Sequence, residues 1–354
     1  MIDLTPLDFD DILIVPAPYT KITSRYKEIY LPDKLPIFTA PMDTVVNLDN
    51  VNTYLKNGIG VALPRTIKYN DYLKSLNDTQ PNNEIFLSFG FSDLDGYHTD
   101  NFEAFAKNTN IIIDVANGHM QKIVDYSKEI KRLRPDITIM VGNIGNPETY
   151  YWYAINNCVD YIRVGIGNGC GCLTTKQSGI GYPMASLIYT TLEFKKEFIK
   201  DNPNKKAPAI VADGGMKNYS DIIKAFALGA DYVMIGSIFN KAFESSGNMY
   251  LWNVRVKNEK YARFLFNMGL PIVKYFRGMS TKEAQKAMGK TNIKTSEGIV
   301  RYEKVEYYLQ GWLENFEHYL RNAMSYANAN TLDDFIGNVE ICKITKNAYD
   351  RFNK

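Results

Sequence analysis

Short apolar runs rich in β-branched residues recur along the first two thirds of the chain, each separated from the next by a more polar stretch. They are PIFTAP at 36–41, GIGVAL at 58–63, EIFLSF at 84–89, NIIIDV at 110–115, ITIMVG at 137–142, DYIRVG at 160–165, PAIVAD at 208–213 and DYVMIG at 231–236. None alternates strictly between apolar and polar positions. Near-continuous hydrophobicity is expected of strands buried on both faces, which favours a parallel sheet. The intervening stretches carry helical periodicity. MQKIVDYSKEIKRLRP sets Ile123, Tyr126, Ile130 and Leu133 three and four apart and is ended by Pro135. In NYSDIIKAFALGA, Asn218 or Ser220 can cap the start and Gly229 closes the end. Eight β-runs alternating with helices predict an α/β fold of the (β/α)8 TIM-barrel type rather than an open doubly wound sheet, which usually has fewer strands.

After about residue 245 the pattern reads as helical and polar, without a low-complexity linker. Residues 1–354 are therefore expected to form a single (β/α)8 barrel domain. Its segment 246–354 completes the barrel, and 246–330 includes an inserted loop and a C-terminal active-site and cofactor segment.

Composition narrows the function. A chain of 354 residues, 45% hydrophobic and 23% charged, has the balance of a globular protein that buries a sizeable core. A net charge of +2 makes no electrostatic case for nucleic acid or an anionic membrane as partner, but leaves room for an anionic small molecule. MIDLTPLDFDD lacks the positive region of a secretory signal, and no run approaches the roughly 20 apolar residues of a membrane span. The expectation is a soluble, cytoplasmic protein whose four cysteines stay thiols. Its three histidines are widely separated and have no cysteine at ligand spacing, which argues against a zinc site.

Catalytic barrels place their chemistry at the carboxyl ends of the strands. The densest signal there is IRVGIGNGCGCLTT, Ile162 to Thr175, where glycines 165, 167, 169 and 171 let backbone amides approach a ligand. Cys172 leaves this loop with Thr174 two residues on, so it is a candidate nucleophile; the structural alternative is a small buried hydrophobe. Cys170 and Cys172 are two apart, so a CxxC redox motif is absent. VADGGM and VMIGS offer further amides at neighbouring strand ends, where barrels often bind phosphate. Asp213 is placed either to accept from ribose hydroxyls or to cap a helix, and Glu297 in TSEG is a candidate general acid or base.

Taken together, these motifs resemble the IMP dehydrogenase and GMP reductase family over nearly the whole chain. LDFDDILIVP, APMDTV at 40–45, DVANGH at 114–119, GIGNGCGCLTT, GIGYP at 179–183, ADGGM, VMIGS, RGMS at 277–280 and SEG at 296–298 stand in the family's order. The resemblance implies a (β/α)8 barrel, a purine mononucleotide, a nicotinamide cofactor and a cysteine that attacks purine C2. It assigns that attack to Cys172, with Thr174 and Glu297 as its catalytic partners. It gives the ribose to Asp213, the phosphate to Gly215, Gly236 and Ser237, and the purine to Met279, Ser280, Lys294, Ser296 and Gly298. Asp114, Val115, Ala116 and Arg321 would meet the cofactor, NADPH. Carbonyls near Gly167, Gly169 and Cys172 would hold a monovalent cation (K+), and the assembly would be a homotetramer.

Dehydrogenases of the family usually carry a pair of CBS modules after the second strand, and only about 20 residues separate GVALPRT from EIFLSF. Their hydrolytic flap, with its Arg-Tyr pair, is also unmatched: the 16 residues at 280–295 contain neither Arg nor Tyr. DVANG, Phe276 before RGM, and GMST look like the reductase branch, whereas APMDTV and the Ser of VMIGS look like the dehydrogenase. Departures from both are Cys170 where a phosphate-binding Ser is usual, Asn168 for Pro, and Thr175 where Arg is common. The expected activity is reductive deamination of GMP to IMP and ammonia; the alternatives are an IMP dehydrogenase without CBS modules and a non-catalytic purine nucleotide-binding barrel.

Overall fold

Each of the eight apolar runs forms a parallel strand in the computed structural model, which describes residues 5–76, 81–95, 105–289, 293 and 298–352. After a short N-terminal strand, β1 (Ile12–Ile14), come β2 (Ile37–Thr39), β3 (Val61–Leu63), β4 (Ile85–Phe89), β5 (Asn110–Asp114), β6 (Ile139–Ile144), β7 (Tyr161–Val164), β8 (Ala209–Asp213) and β9 (Tyr232–Ile235). β2 to β9 form one sheet in the order β2-β9-β8-β7-β6-β5-β4-β3. A parallel bridge between Phe38 and Gly60 joins β2 to the residue preceding β3 and closes the barrel.

The missing alternation has a direct cause: both faces of each strand are apolar. In β5, Ile111 and Ile113 pack with the surrounding helices, while Ile112 joins Phe38, Ala62, Phe86, Met140, Val211 and Met234 in the lumen. Phe38 meets Phe86 edge-on, with ring centroids 5.4 Å apart. Helix Gln121–Leu133 buries Ile123, Tyr126 and Ile130 as its spacing requires. In helix Tyr219–Ala227 the cap is Asn218, whose side chain accepts from Asp221 N at 3.0 Å.

The C-terminal third differs from the helical expectation. β10 (Met249–Leu251), β11 (Val254–Val256), β12 (Val273–Arg277) and β13 (Val300–Lys304) build an antiparallel sheet in the order β11-β10-β12-β13. Its strands are short, and VKYFR and VRYEK alternate, because this sheet is only half covered. Phe243, Ala262, Leu265, Ile272 and Val305 form its own small core. Helix Leu309–Tyr326 then lays Leu309, Trp312, Leu313, Phe316, Leu320 and Met324 on the barrel. β14 (Ile341–Lys343) pairs antiparallel with β1. Among the described residues no helix is long and apolar enough to cross a membrane.

Lys274 of β12 is completely buried. Its ammonium donates to the Phe243 carbonyl at 2.7 Å, to Ser245 Oγ at 2.8 Å and to the Ser245 carbonyl. The 243–247 turn it holds in turn grips 43–45: Gly247 N donates to Thr44 O at 3.0 Å and Ser246 Oγ to Asp43 O at 2.8 Å. Burial pulls the lysine down to about 7, against the opposing pull of Glu244 and Glu259. Between that value and the unfolded one the folded protein binds fewer protons, so stability should rise with pH over this window and be flat below it. Lys274→Met is expected to remove up to about 1.4 kcal/mol per pH unit of that rise. Urea midpoints at pH 6.5 and 9 check it; an undiminished slope in the variant would refute it.

Candidate active site

The loop that leaves β7 turns back on itself where Cys172 N donates to Gly169 O at 2.9 Å. This turn lifts the half-buried Cys172 thiol to the carboxyl end of the barrel, where it donates to Thr174 Oγ1 at 3.2 Å. Thr174 opens the next helical turn, Thr174–Ser178. A second segment meets the loop here: Cys172 bridges Gly298 in antiparallel fashion, and Ile299 N donates to Gly171 O at 3.2 Å. A third joins through Gly278 N, which donates to Ile299 O at 3.0 Å. The packing leaves no room for side chains, since a Cβ on Gly278 would stand 2.6 Å from the Gly171 carbonyl and one on Gly298 2.9 Å from Ser280 Oγ. Phe276, 1% exposed, floors the turn under Gly171 and is itself covered by the Arg301 guanidinium at 4.7 Å. Arg277 is anchored to Asp43 by paired hydrogen bonds, Nε to Oδ1 at 3.2 Å and Nη2 to Oδ2.

Gly278→Ala must therefore push the Cys172 turn away, because the obstacle is backbone. We expect kcat/KM for the reaction proposed below to fall at least about tenfold while stability drops by about 1–3 kcal/mol. Steady-state kinetics beside urea titration test this; unchanged kinetics would show that the three-segment junction does not position the thiol.

Asp213, at the end of β8, is fixed before any ligand arrives. Its Oδ2 accepts from Asn143 Nδ2 at 2.8 Å and from Arg163 Nη2 at 2.8 Å. Arg163 also donates to Asp114 Oδ1 at 2.7 Å, so one guanidinium ties together the ends of β5, β7 and β8. Burial opposes its charge, but Asp213 and Asp114 outweigh this and hold it more firmly protonated than usual. The helix-cap alternative for Asp213 is thus replaced by an ion-pair role that uses Oδ2 and, among the described residues, leaves Oδ1 open to a ligand. His119, of the DVANGH stretch, accepts from Gly145 N at its Nε2 (3.0 Å) and faces Thr149 Oγ1 at 2.8 Å through Nδ1. Burial lowers its pKa, which suits a neutral ring donating from Nδ1.

A pocket of about 80 Å³ lies between these elements, lined by Gly169, Cys170, Gly171, Asp213, Gly215, Gly236, Ser237 and Phe276. Gly215 sits at φ +82°, in the left-handed region that favours glycine, and a Cβ there would stand 2.9 Å from Met184 Cγ. The expected phosphate and ribose residues are thus brought together around the Cys172 turn, with Met279 and Ser280 directly after Gly278. Asp114 ends β5 on the same rim, Val115 and Ala116 follow it, and Ala116 is exposed. Gly167 lies in the same loop, and the carbonyl of Gly169 accepts from Cys172 N. Lys294, Ser296 and Glu297 lie outside the described residues. Arg321 is not brought to this cluster: its guanidinium donates to the Ile29 carbonyl at 2.6 Å, beside the N-terminal segment.

A larger cavity of about 760 Å³ opens at the opposite mouth, over Phe38, Phe86, Tyr161 and Tyr232. Size does not make it the reactive site. Glu84 and Asp231 on its wall are already taken by Lys34 and Lys195, and its lining contains no Cys, His or Ser.

A family model for the IMP dehydrogenase / GMP reductase domain matches residues 98–351. The chain belongs to the IMP dehydrogenase / GMP reductase family. It is 24% identical to the GMP reductase of Ascaris suum over 366 residues, covering 98% of this chain and 95% of that protein. It is 25% identical to mouse GMP reductase 2 over 363 residues, covering 98% and 97%, and 28% identical to human GMP reductase 2 over 309 residues, covering 82% and 81%. In this member of the IMP dehydrogenase / GMP reductase family, sequence reasoning missed Arg163, Asn143 and the Asp43–Arg277 pair. Arg163 did leave a signal, a charge inside the otherwise apolar run DYIRVG, where a strand buried on both faces tolerates one only if it is paired.

Proposed function

We propose that the protein is a GMP reductase that converts GMP to IMP and ammonia through a covalent cysteine–purine intermediate. The observation that carries this reading is the Cys172 thiol, bonded to Thr174 at 3.2 Å, beside a glycine-walled pocket closed by Asp213. The amides of Gly215, Gly236 and Ser237 suit a phosphate, and the remaining Oδ1 of Asp213 suits a ribose hydroxyl. These contacts set purine C2 over Cys172. The thiolate adds at C2, forming the C–S bond; the exocyclic amine, protonated with help from Thr174 and Glu297, leaves as ammonia.

The rim Asp114–Ala116 fits a nicotinamide cofactor: Asp114 is locked by Arg163 while Ala116 stays accessible. When bound there, NADPH supplies the hydride that reduces C2. Expulsion of the Cys172 thiolate then yields IMP. In this chain Arg321 is engaged with the carbonyls of Ile29 and Arg25, so the proposed cofactor contacts are those of the Asp114–Ala116 rim. A K+ ion held by carbonyls around Gly167, Gly169 and Cys172 would steady the turn.

Against the dehydrogenase stands the 280–295 segment, without Arg or Tyr to activate water. The test is nicotinamide absorbance with GMP plus NADPH and, separately, IMP plus NAD. Oxidation of NADPH only with GMP supports the proposal. NADH formation from IMP would make the protein a dehydrogenase, and GMP binding without turnover would make it a binding barrel.

A further inference from the structure

We propose that Cys170 and Cys172 form a reversible redox switch, in which a hydroperoxide oxidises Cys172 and Cys170 resolves it into an intramolecular disulfide that removes the nucleophile. Both are free thiols, Cys170 exposed and Cys172 half-buried. The bond from Cys172 N to Gly169 O at 2.9 Å makes them the second and fourth residues of one turn. Successive Cα atoms are about 3.8 Å apart, so the two cannot be separated by more than about 7.6 Å, and a turn shortens this toward the roughly 5.5 Å that disulfides favour. Gly171 between them has no side chain to resist the bend. The other two cysteines are elsewhere, Cys158 buried and Cys342 on β14.

Phosphate binding does not explain Cys170. It lines the pocket where the resemblance leads one to expect Ser, and a thiol is the weaker hydrogen-bond donor. A second thiol within reach of the nucleophile gives that exchange a use. In the first step the Cys172 thiolate attacks a peroxide oxygen: an S–O bond forms, the O–O bond breaks, sulfur loses two electrons and the released alkoxide or hydroxide takes up a proton. The Cys170 sulfur then attacks the sulfenic acid, forming S–S and breaking S–O, and water leaves with the Cys170 proton. A ring this small is strained, which makes the disulfide easy to reduce again.

The experiment treats the full chain with a few equivalents of hydrogen peroxide, alkylates the remaining thiols and reads intact and peptide masses. The expected result is a loss of about 2 Da within the peptide carrying both cysteines, reversed by dithiothreitol. In Cys170→Ser, Cys172 should instead gain about 16 Da and climb to about 32 Da, a product dithiothreitol does not restore. Cys172→Ser should leave Cys170 unoxidised at the same dose. The proposal is overturned if both thiols of the wild type stay alkylatable, if Cys172 gains oxygen while Cys170 remains free, or if the disulfide joins either one to Cys342. All these readouts are masses, so failure of the GMP reading and failure of the switch are separate outcomes.

Discussion

Cys172→Ala is expected to abolish GMP turnover, by on the order of 10⁴-fold or more in kcat, while leaving GMP affinity within about tenfold of the wild type. The asymmetry follows from where the residue sits. The phosphate and ribose contacts come from Gly215, Gly236, Ser237 and Asp213, none of which depends on the thiol, so ground-state binding survives its loss. The covalent route does not, because it runs through the Cys172 sulfur, which alanine removes. Cys172 is half-buried and anchored by backbone bonds at Gly169 and Gly171, so alanine should cost little stability. Thr174→Ala, which removes the hydroxyl that accepts from the thiol, should fall between wild type and Cys172→Ala, about 10²-fold down in kcat. Single-turnover measurements with isothermal titration of GMP test this, and a Cys172→Ala enzyme within tenfold of wild-type kcat would rule out covalent catalysis.

Arg163→Met should produce the largest stability loss of any single change at the site, about 3–5 kcal/mol, because it strips from two carboxylates at the barrel's carboxyl end the guanidinium that pairs them both. The Arg163 side chain is 6% exposed, against 24% for Asp114 and 14% for Asp213, so water can take over little of the lost pairing. The variant's two aspartates are left without the guanidinium that pairs them, so both the lost pairing and their mutual repulsion count against the fold. KM for GMP should rise as well, since Asp213 loses the bonds that aim it. Urea midpoints of variant and wild type at pH 7.5 are the measurement; a deficit below about 1 kcal/mol would mean the triad does not carry the predicted charge coupling.

The eight barrel strands were readable because each is buried on both faces and so written as an unbroken apolar run, and because the turns after them concentrate glycine. The sheet β10–β13 was not readable, since its strands are three to five residues long and, in β12 and β13, alternate, too weak a signal to stand out from polar helical sequence. Cys172, Thr174 and Asp213 were visible as chemistry in suspicious places. Their supports were not: Asn143 and Arg163 come from strands 20 or more residues away in sequence from the group they hold. Arg321 shows the reverse error. A charge in a C-terminal helix has many surfaces to meet, and here it meets the carbonyls of Ile29 and Arg25.

What the sequence determined by itself was the barrel and the order of its strands' functional ends, because hydrophobic burial on two faces and glycine turns are local, repetitive signals. What only the tertiary structure decided was which groups converge. Gly171, Gly278 and Gly298 are scattered over more than 120 residues, yet their missing side chains let three backbones close around Cys172. Likewise the charge of Arg163 has meaning only once β8 stands beside β7 on one side and β5 lies beyond β6 on the other, presenting two carboxylates to it. Close packing and charge pairing are properties of distances between strands, and those distances exist only after the barrel has closed.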